Sequence, residues 1–266
     1  MVNQIRIATD MKKPERIGPY TLLSPLSERA RGNVWLARAG TDGGKVALKL
    51  ARANDAPGRE RLLHESALTI TLDHPNIVRV HECGAADGVT WIAMGYVSGK
   101  QGMLTLANFR QLLLALVHLH SNDIIHADIN QANVLLDELG NLRLVGFGGA
   151  RRQGELVAAG TPQCISPEQM RGQPVDVRTD LFAAATVLYQ ILTGKRPFEG
   201  TALEVMQQML VENQAAPSVV APGLGTSFDD VIRRGLARDR DQRYGSAFEF
   251  LSAFDAACRR GVRVSA

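Results

Sequence analysis

The run His126-Ala127-Asp128-Ile129-Asn130-Gln131-Ala132-Asn133 places an aspartate and an asparagine five residues apart. It reads as the catalytic loop of a phosphoryl-transfer enzyme, chemistry that asks a protein for positioning and charge near the phosphate more than for covalent steps. Thirteen residues beyond Asn133, where such an enzyme places a magnesium-binding carboxylate, the chain reads Gly146-Phe147-Gly148. The loop keeps Asp128 and Asn133, and the metal-binding acid is a glycine. His118 and His120, two apart on a helix, lie about 200° apart around its axis and cannot share a metal.

Elements must hold these residues. Segments 20–26, 33–39 and 46–50 read as short strands, with Thr41-Asp42-Gly43-Gly44 as a turn. Pro57-Gly58 breaks the chain, and 59–72 then shows helical spacing through Leu62, Leu63, Ala67 and Ile70. That helix is expected to end at Asp73-His74-Pro75-Asn76, because a residue before proline disfavours the helical region. Strands at 77–82 and 89–97 follow, joined by Asp87-Gly88 as a hairpin turn. Past Gly99 and Gly102 the pattern turns helical. It predicts an apolar helix over 106–120, a small hairpin of 134–136 and 142–145, and helices near 180–193, 201–213, 227–237 and 246–258. A strand-rich front with one helix and a helical back predicts an α+β, bilobal fold joined near 97–102.

With 266 residues and 45% apolar content, the chain can build one large domain or two small ones. A net charge of +3 with scattered basic residues and no recognisable motif argues against nucleic acid as a partner. Cys83, Cys164 and Cys258 are odd in number and lack a CxxC pair, so reduced thiols are expected, not disulfides or zinc ligands. Residues 1–18 show no apolar run of signal-peptide type, and the longest apolar stretch, 181–192, is about a dozen residues, too short to span a bilayer. The expectation is a cytoplasmic protein without membrane insertion, whose basic lead (Lys12, Lys13, Arg16) could touch a partner.

Several pieces in order carry a family resemblance. Val46-Ala47-Leu48-Lys49 is followed by Glu65 sixteen residues on, then by Met94-Gly95-Tyr96-Val97 and the loop at 126–133. Gly160-Thr161-Pro162 and Ser166-Pro167-Glu168-Gln169 come next, then Asp180-Leu181-Phe182, and finally Leu236-Ala237-Arg238-Asp239 with Arg243-Tyr244. In this order and spacing the chain resembles the protein kinases, specifically the bacterial type similar to eukaryotic Ser/Thr kinases, over 17–257. The resemblance implies a lead at 1–16, a β-rich N-lobe at 17–97 and a mainly helical C-lobe at 98–262, forming one kinase domain. It implies that Lys49 holds nucleotide phosphates and pairs with Glu65, and that Asp128 is the catalytic base. Val34, Ala47 and Leu135 would sandwich the adenine of ATP, with Met94, Gly95, Tyr96 and Val97 as the hinge. Asn133 would be the remaining magnesium ligand, and a lone amide binds such a hard cation poorly. His126, Phe147, Glu168, Asp180 and Arg243 would be structural, with Arg243 pairing Glu168 and Asp180 anchoring the catalytic-loop backbone.

The chain departs from the family pattern where phosphate chemistry sits. Ser27-Glu28-Arg29-Ala30-Arg31-Gly32-Asn33-Val34 keeps one glycine of the phosphate-covering loop. Ala127 replaces the arginine that would clamp a phosphorylated segment, and 149–160 contains no Ser, Thr or Tyr. Asn130 replaces a lysine, and Gly146 replaces the metal-binding acid. Losing one preorganised electrostatic group costs about 10²–10³ in rate, so two such losses cost about 10⁴–10⁶ against a kinase turnover of roughly 1–100 per second. The expectation is a pseudokinase that binds nucleotide or another protein. The alternatives are a slow Ser/Thr kinase using Asp128, a small-molecule phosphotransferase, which also lacks the lysine, and an AMP-transferring relative.

Overall fold

Residues two apart on a strand share a face, and that period sorts the first third of the chain into two layers of core. The structure, a computed structural model, describes residues 16–27, 33–40, 43–99, 102–157, 164–211 and 214–264. Residues 1–15 of the lead, 28–32 of the phosphate-covering loop, 41–42 of the predicted turn and 160–162 of the Gly-Thr-Pro motif lie outside the described residues. The chain divides into two compact units. One runs to Thr71 and resumes from Arg79 to Tyr96, and the other takes Leu72–Val78 together with the chain from Val97 on.

In the first unit, β1 (Arg16–Ile17), β2 (Tyr20–Ser27), β3 (Asn33–Ala39), β4 (Lys45–Arg52), β5 (Val80–Ala86) and β6 (Val89–Gly95) form one antiparallel sheet in the order β1-β2-β3-β4-β6-β5. Val46 and Leu48 of β4 pack with Leu22, Ala37, Trp91 and Ala93 on one face, whereas Ala51 packs with Val80 and Ile92 on the other. The second face receives α1 (Ala56–Thr69) through Leu62. Asp87 and Gly88, at φ 53° and 73°, form the expected β5–β6 turn.

The bounds of α1 correct the sequence reading. Pro57 does not break the chain. It sits in the first helical turn, where its missing N–H is not needed, and Asp55 caps that turn by accepting the Gly58 amide at 2.9 Å. The helix ends at Thr69, short of 72, because the residues beyond it are committed elsewhere. Asn76 Nδ2 donates to the Leu142 carbonyl (3.0 Å), Val78 N to Leu144 O (2.9 Å) and Leu144 N to Asn76 O (2.8 Å). Segment 72–78 therefore belongs to the second unit and interrupts the 17–97 division. Ile77 makes one isolated bridge with Leu144, so the strand expected at 77–82 starts only at Val80.

The second unit opens with α2 (Leu106–Ser121), where Thr105 and Asn108 cap each other reciprocally. Then come β7 (Ile124–Ile125), the β8 (Val134–Leu136) and β9 (Leu142–Leu144) hairpin, and β10 (Arg151–Arg152), which pairs with β7. The remainder is α3 (Pro167–Met170), α4 (Val177–Thr193), α5 (Ala202–Val211), α6 (Pro217–Val220), α7 (Asp229–Gly235) and α8 (Ala247–Val264). α4 is buried without interruption from Thr179 to Tyr189, as befits a helix apolar on every side. Phe109 of α2 meets Phe250 and Phe254 of α8 edge-on, at centroid distances of 5.7 and 5.0 Å. The one-turn helices α3 and α6 escaped the sequence reading, since four residues show no periodicity.

Candidate functional site

Each unit carries its own polar constellation. In the first, Lys49 Nζ lies 2.5 Å from Glu65 Oε2, a strand-to-helix ion pair whose carboxylate is buried. β4 pairs Ala47 with Met94 of β6, and Val34 of β3 faces Lys49. By cross-strand register, Val34, Ala47, Lys49 and Met94 share the α1 face of the sheet. A fixed ammonium of this kind can attract an anion. Gly95 N, of the segment expected as the hinge, donates to Arg79 O at 2.9 Å within the unit. Val97 and Leu135 belong to the second unit.

The second constellation is built around Asp180, fully buried in the first turn of α4. Its Oδ2 accepts the His126 amide and its Oδ1 the Ala127 amide, both at 2.8 Å, and His120 Nε2 lies 3.0 Å from Oδ2. Two charge-assisted bonds to consecutive amides force the backbone to turn sharply. Ala127 stands at φ 60°, a conformation that side chains rarely adopt, held also by Gln169 Nε2 on its carbonyl at 2.9 Å. His126 donates from Nε2 to Val145 O at 3.0 Å and packs against Phe147 at 4.7 Å between centroids. The imidazole is committed to the fold.

Two carboxamides then fix Asp128. Asn130 Nδ2 donates to Asp128 Oδ1 at 3.1 Å and Asn133 Nδ2 to Oδ2 at 3.1 Å, and both also reach the Asp128 carbonyl, at 2.9 and 2.7 Å. Asn130 Oδ1 accepts the Ala132 amide at 2.9 Å, which starts the short turn over Gln131–Asn133. Asn130 thus braces the loop at both ends of its carboxamide. Gly146 adopts φ 85° and ψ 39°, and a Cβ built there would fall on the Asn133 carboxamide oxygen. The asparagine fills the volume that a side chain at 146 would start from.

Farther along, Arg243 forks onto Glu168 with Nη1–Oε1 at 2.8 Å and Nη2–Oε2 at 2.9 Å, while Thr179 Oγ1 adds a bond to Oε1 at 2.9 Å. Burial raises the Glu168 carboxyl, but the hydrogen bonds and charge of Arg243 outweigh it and hold the group below its ordinary value. Three supporting residues were missed from sequence: His120, Thr179 and Gln169. The Ser166-x-x-Gln169 capping box was the signal available for the last. The three cysteines are free. Burial pushes the Cys164 thiol up to about 12, and the Asp128 carboxylate adds to the effect, so the thiol stays protonated and inert at neutral pH.

A protein kinase domain profile matches residues 20–253, most of the chain. The chain belongs to the protein kinase family. Among its bacterial relatives, it is 32% identical to the probable serine/threonine-protein kinase PknB of Bifidobacterium longum, across 98% of this chain and 42% of that protein. It is 31% identical to the serine/threonine-protein kinase PrkC of Bacillus subtilis, across 90% of this chain and 41% of that protein. To the serine/threonine-protein kinase PknJ of Mycobacterium tuberculosis it is 33% identical, across 91% and 46%. This kinase domain therefore spans less than half the length of these relatives. Its β-rich unit with one helix and its helical unit are the α+β architecture that the resemblance implied.

Proposed function

We propose that this kinase domain is a pseudokinase: a nucleotide-binding or regulatory module that acts by engaging another protein in the cytoplasm. The observation that carries the reading is the filled space beside Gly146. With a glycine at 146 and the Asn133 oxygen lying where a Cβ would stand, position 146 supplies no carboxylate, and Asp128 is oriented by amide protons on both its oxygens. Magnesium takes near-octahedral oxygen coordination, usually from one or two carboxylates with waters and substrate phosphates, and with glycine at 146 the motif supplies Asn133 as its ligand. That set would hold the ion only weakly. The Lys49–Glu65 pair supports retained binding of ATP phosphates without strict magnesium dependence. Among the described residues no helix is long and apolar enough to cross a membrane.

A second reading is a slow Ser/Thr kinase, favoured by the survival of Asp128 in a rigid loop and by the names of the relatives. Thermal shift with ATP, in EDTA and in magnesium, separates the two. The pseudokinase reading expects the same stabilisation in both. A large shift seen only with magnesium, together with phosphate transfer to protein that Asp128→Asn abolishes, would establish the kinase instead.

A further inference from the structure

The arginine missing at 127 leaves a position that this chain has rebuilt in apolar material. Ala127 is buried with Ile125, Val157 and Val175, and Val177 packs against the same cluster. Val157 reaches it from the segment after β10, and that segment is tied by main chain on two sides. Arg151 and Arg152 pair with Ile125 and Ile124. Gly154 N donates to Val175 O at 2.8 Å, and Val175 N donates to Glu155 O at 3.0 Å. The cluster is fixed from below by the bonds that Asp180 and Gln169 make to Ala127.

We propose that Val157, seated against Ala127 and Val175, is an apolar latch that holds residues 150–157 in place without any phosphate. An arginine at 127 would need an anionic partner to neutralise it. An alanine needs only the exclusion of water, and the valines supply that permanently. The stretch 149–157 has no hydroxyl to carry a phosphate, and Arg152 is already engaged with the Asn122 carbonyl at 3.2 Å and the Asp123 carboxylate at 3.8 Å. The segment is therefore constitutively docked, in a pseudokinase and in a slow kinase alike, so the inference does not rest on the choice between them.

Amide hydrogen exchange on the whole chain tests the latch, before and after phosphatase treatment. Phosphatase is expected to leave exchange at Gly154 and Val175 unchanged. Val157→Asp, which puts a charge into the cluster, is expected to speed exchange at both amides by about tenfold or more, with α2 and α4 amides unaltered as the internal reference. Should Val157→Asp also open α4, Val157→Ala decides by the same comparison, since it removes the methyls that fill the cluster and adds neither charge nor hydroxyl. Loss of protection on phosphatase treatment would overturn the proposal, as would unchanged exchange at Gly154 and Val175 in the deciding variant.

Discussion

Gly146 shows how a missing side chain becomes part of the structure. Its φ of 85° is one that an L-residue resists, and the Asn133 carboxamide occupies the space where a Cβ would project. Restoring an acid there would not simply restore a metal ligand. Gly146→Asp is expected to cost about 1–3 kcal/mol from backbone strain and from expelling Asn133, read as a lower urea midpoint. In an Asn133→Ala background the same substitution should cost less, because the clash is gone and the strain remains. Equal costs in the two backgrounds would mean that the two residues do not compete for this space. Read through the resemblance, the motif gives a glycine where the family pattern expects an acid, but it does not show that a neighbour has filled the room. That is a packing fact, and packing is what a linear motif leaves out.

At the scale of elements, legibility followed the length and regularity of the pattern. Alternating strands, the Asp-Gly hairpin and the long apolar helices were readable because two- and 3.6-residue periods repeat several times within them. The bounds of α1 were not, because its end is decided by bonds from Asn76 and Val78 to a hairpin more than sixty residues away. Placing Glu168 with Arg243 required the resemblance, since nothing local joins residues 75 positions apart. The pair matters most to α3, a single turn too short to persist by itself. Its Glu168 carboxylate is held by an Arg243 that also donates to the carbonyls of Ala237, Arg178 and Arg238, at 2.7, 3.1 and 3.2 Å. Arg243→Ala removes the charge partner of a buried carboxylate, and is expected to cost about 3–5 kcal/mol in chemical denaturation. A loss under about 1 kcal/mol would mean that water replaces the guanidinium at little cost.

For the whole molecule, the buried and paired ionisable groups set a window of maximal stability against pH. Burial, helped by the stacked His118 ring 5.2 Å away, holds His74 below its ordinary 6.5, and His74 Nδ1 accepts the Asn76 amide at 3.1 Å, a bond that protonation would break. As pH falls through 6.5 the unfolded chain takes up a proton that the folded side chain resists, so stability declines from there. Glu168, held below its ordinary 4.5, adds a second decline as pH falls further and its pairing with Arg243 is lost. On the alkaline side the signs reverse. Burial raises Cys164 from 9.0 to about 12, and Tyr244 from 10.0 to about 12, so folding weakens once the unfolded chain can ionise where the folded one cannot. Denaturation free energy measured from pH 4 to 11 should therefore show a plateau between about 6.5 and 9 with both limbs descending. His74→Asn, whose short amide can still accept the Asn76 N–H but does not titrate, should flatten the acid limb near 6 while leaving the Glu168 limb in place. If the variant declines as steeply as the parent through that range, the acid sensitivity belongs to groups other than the His74–His118 stack.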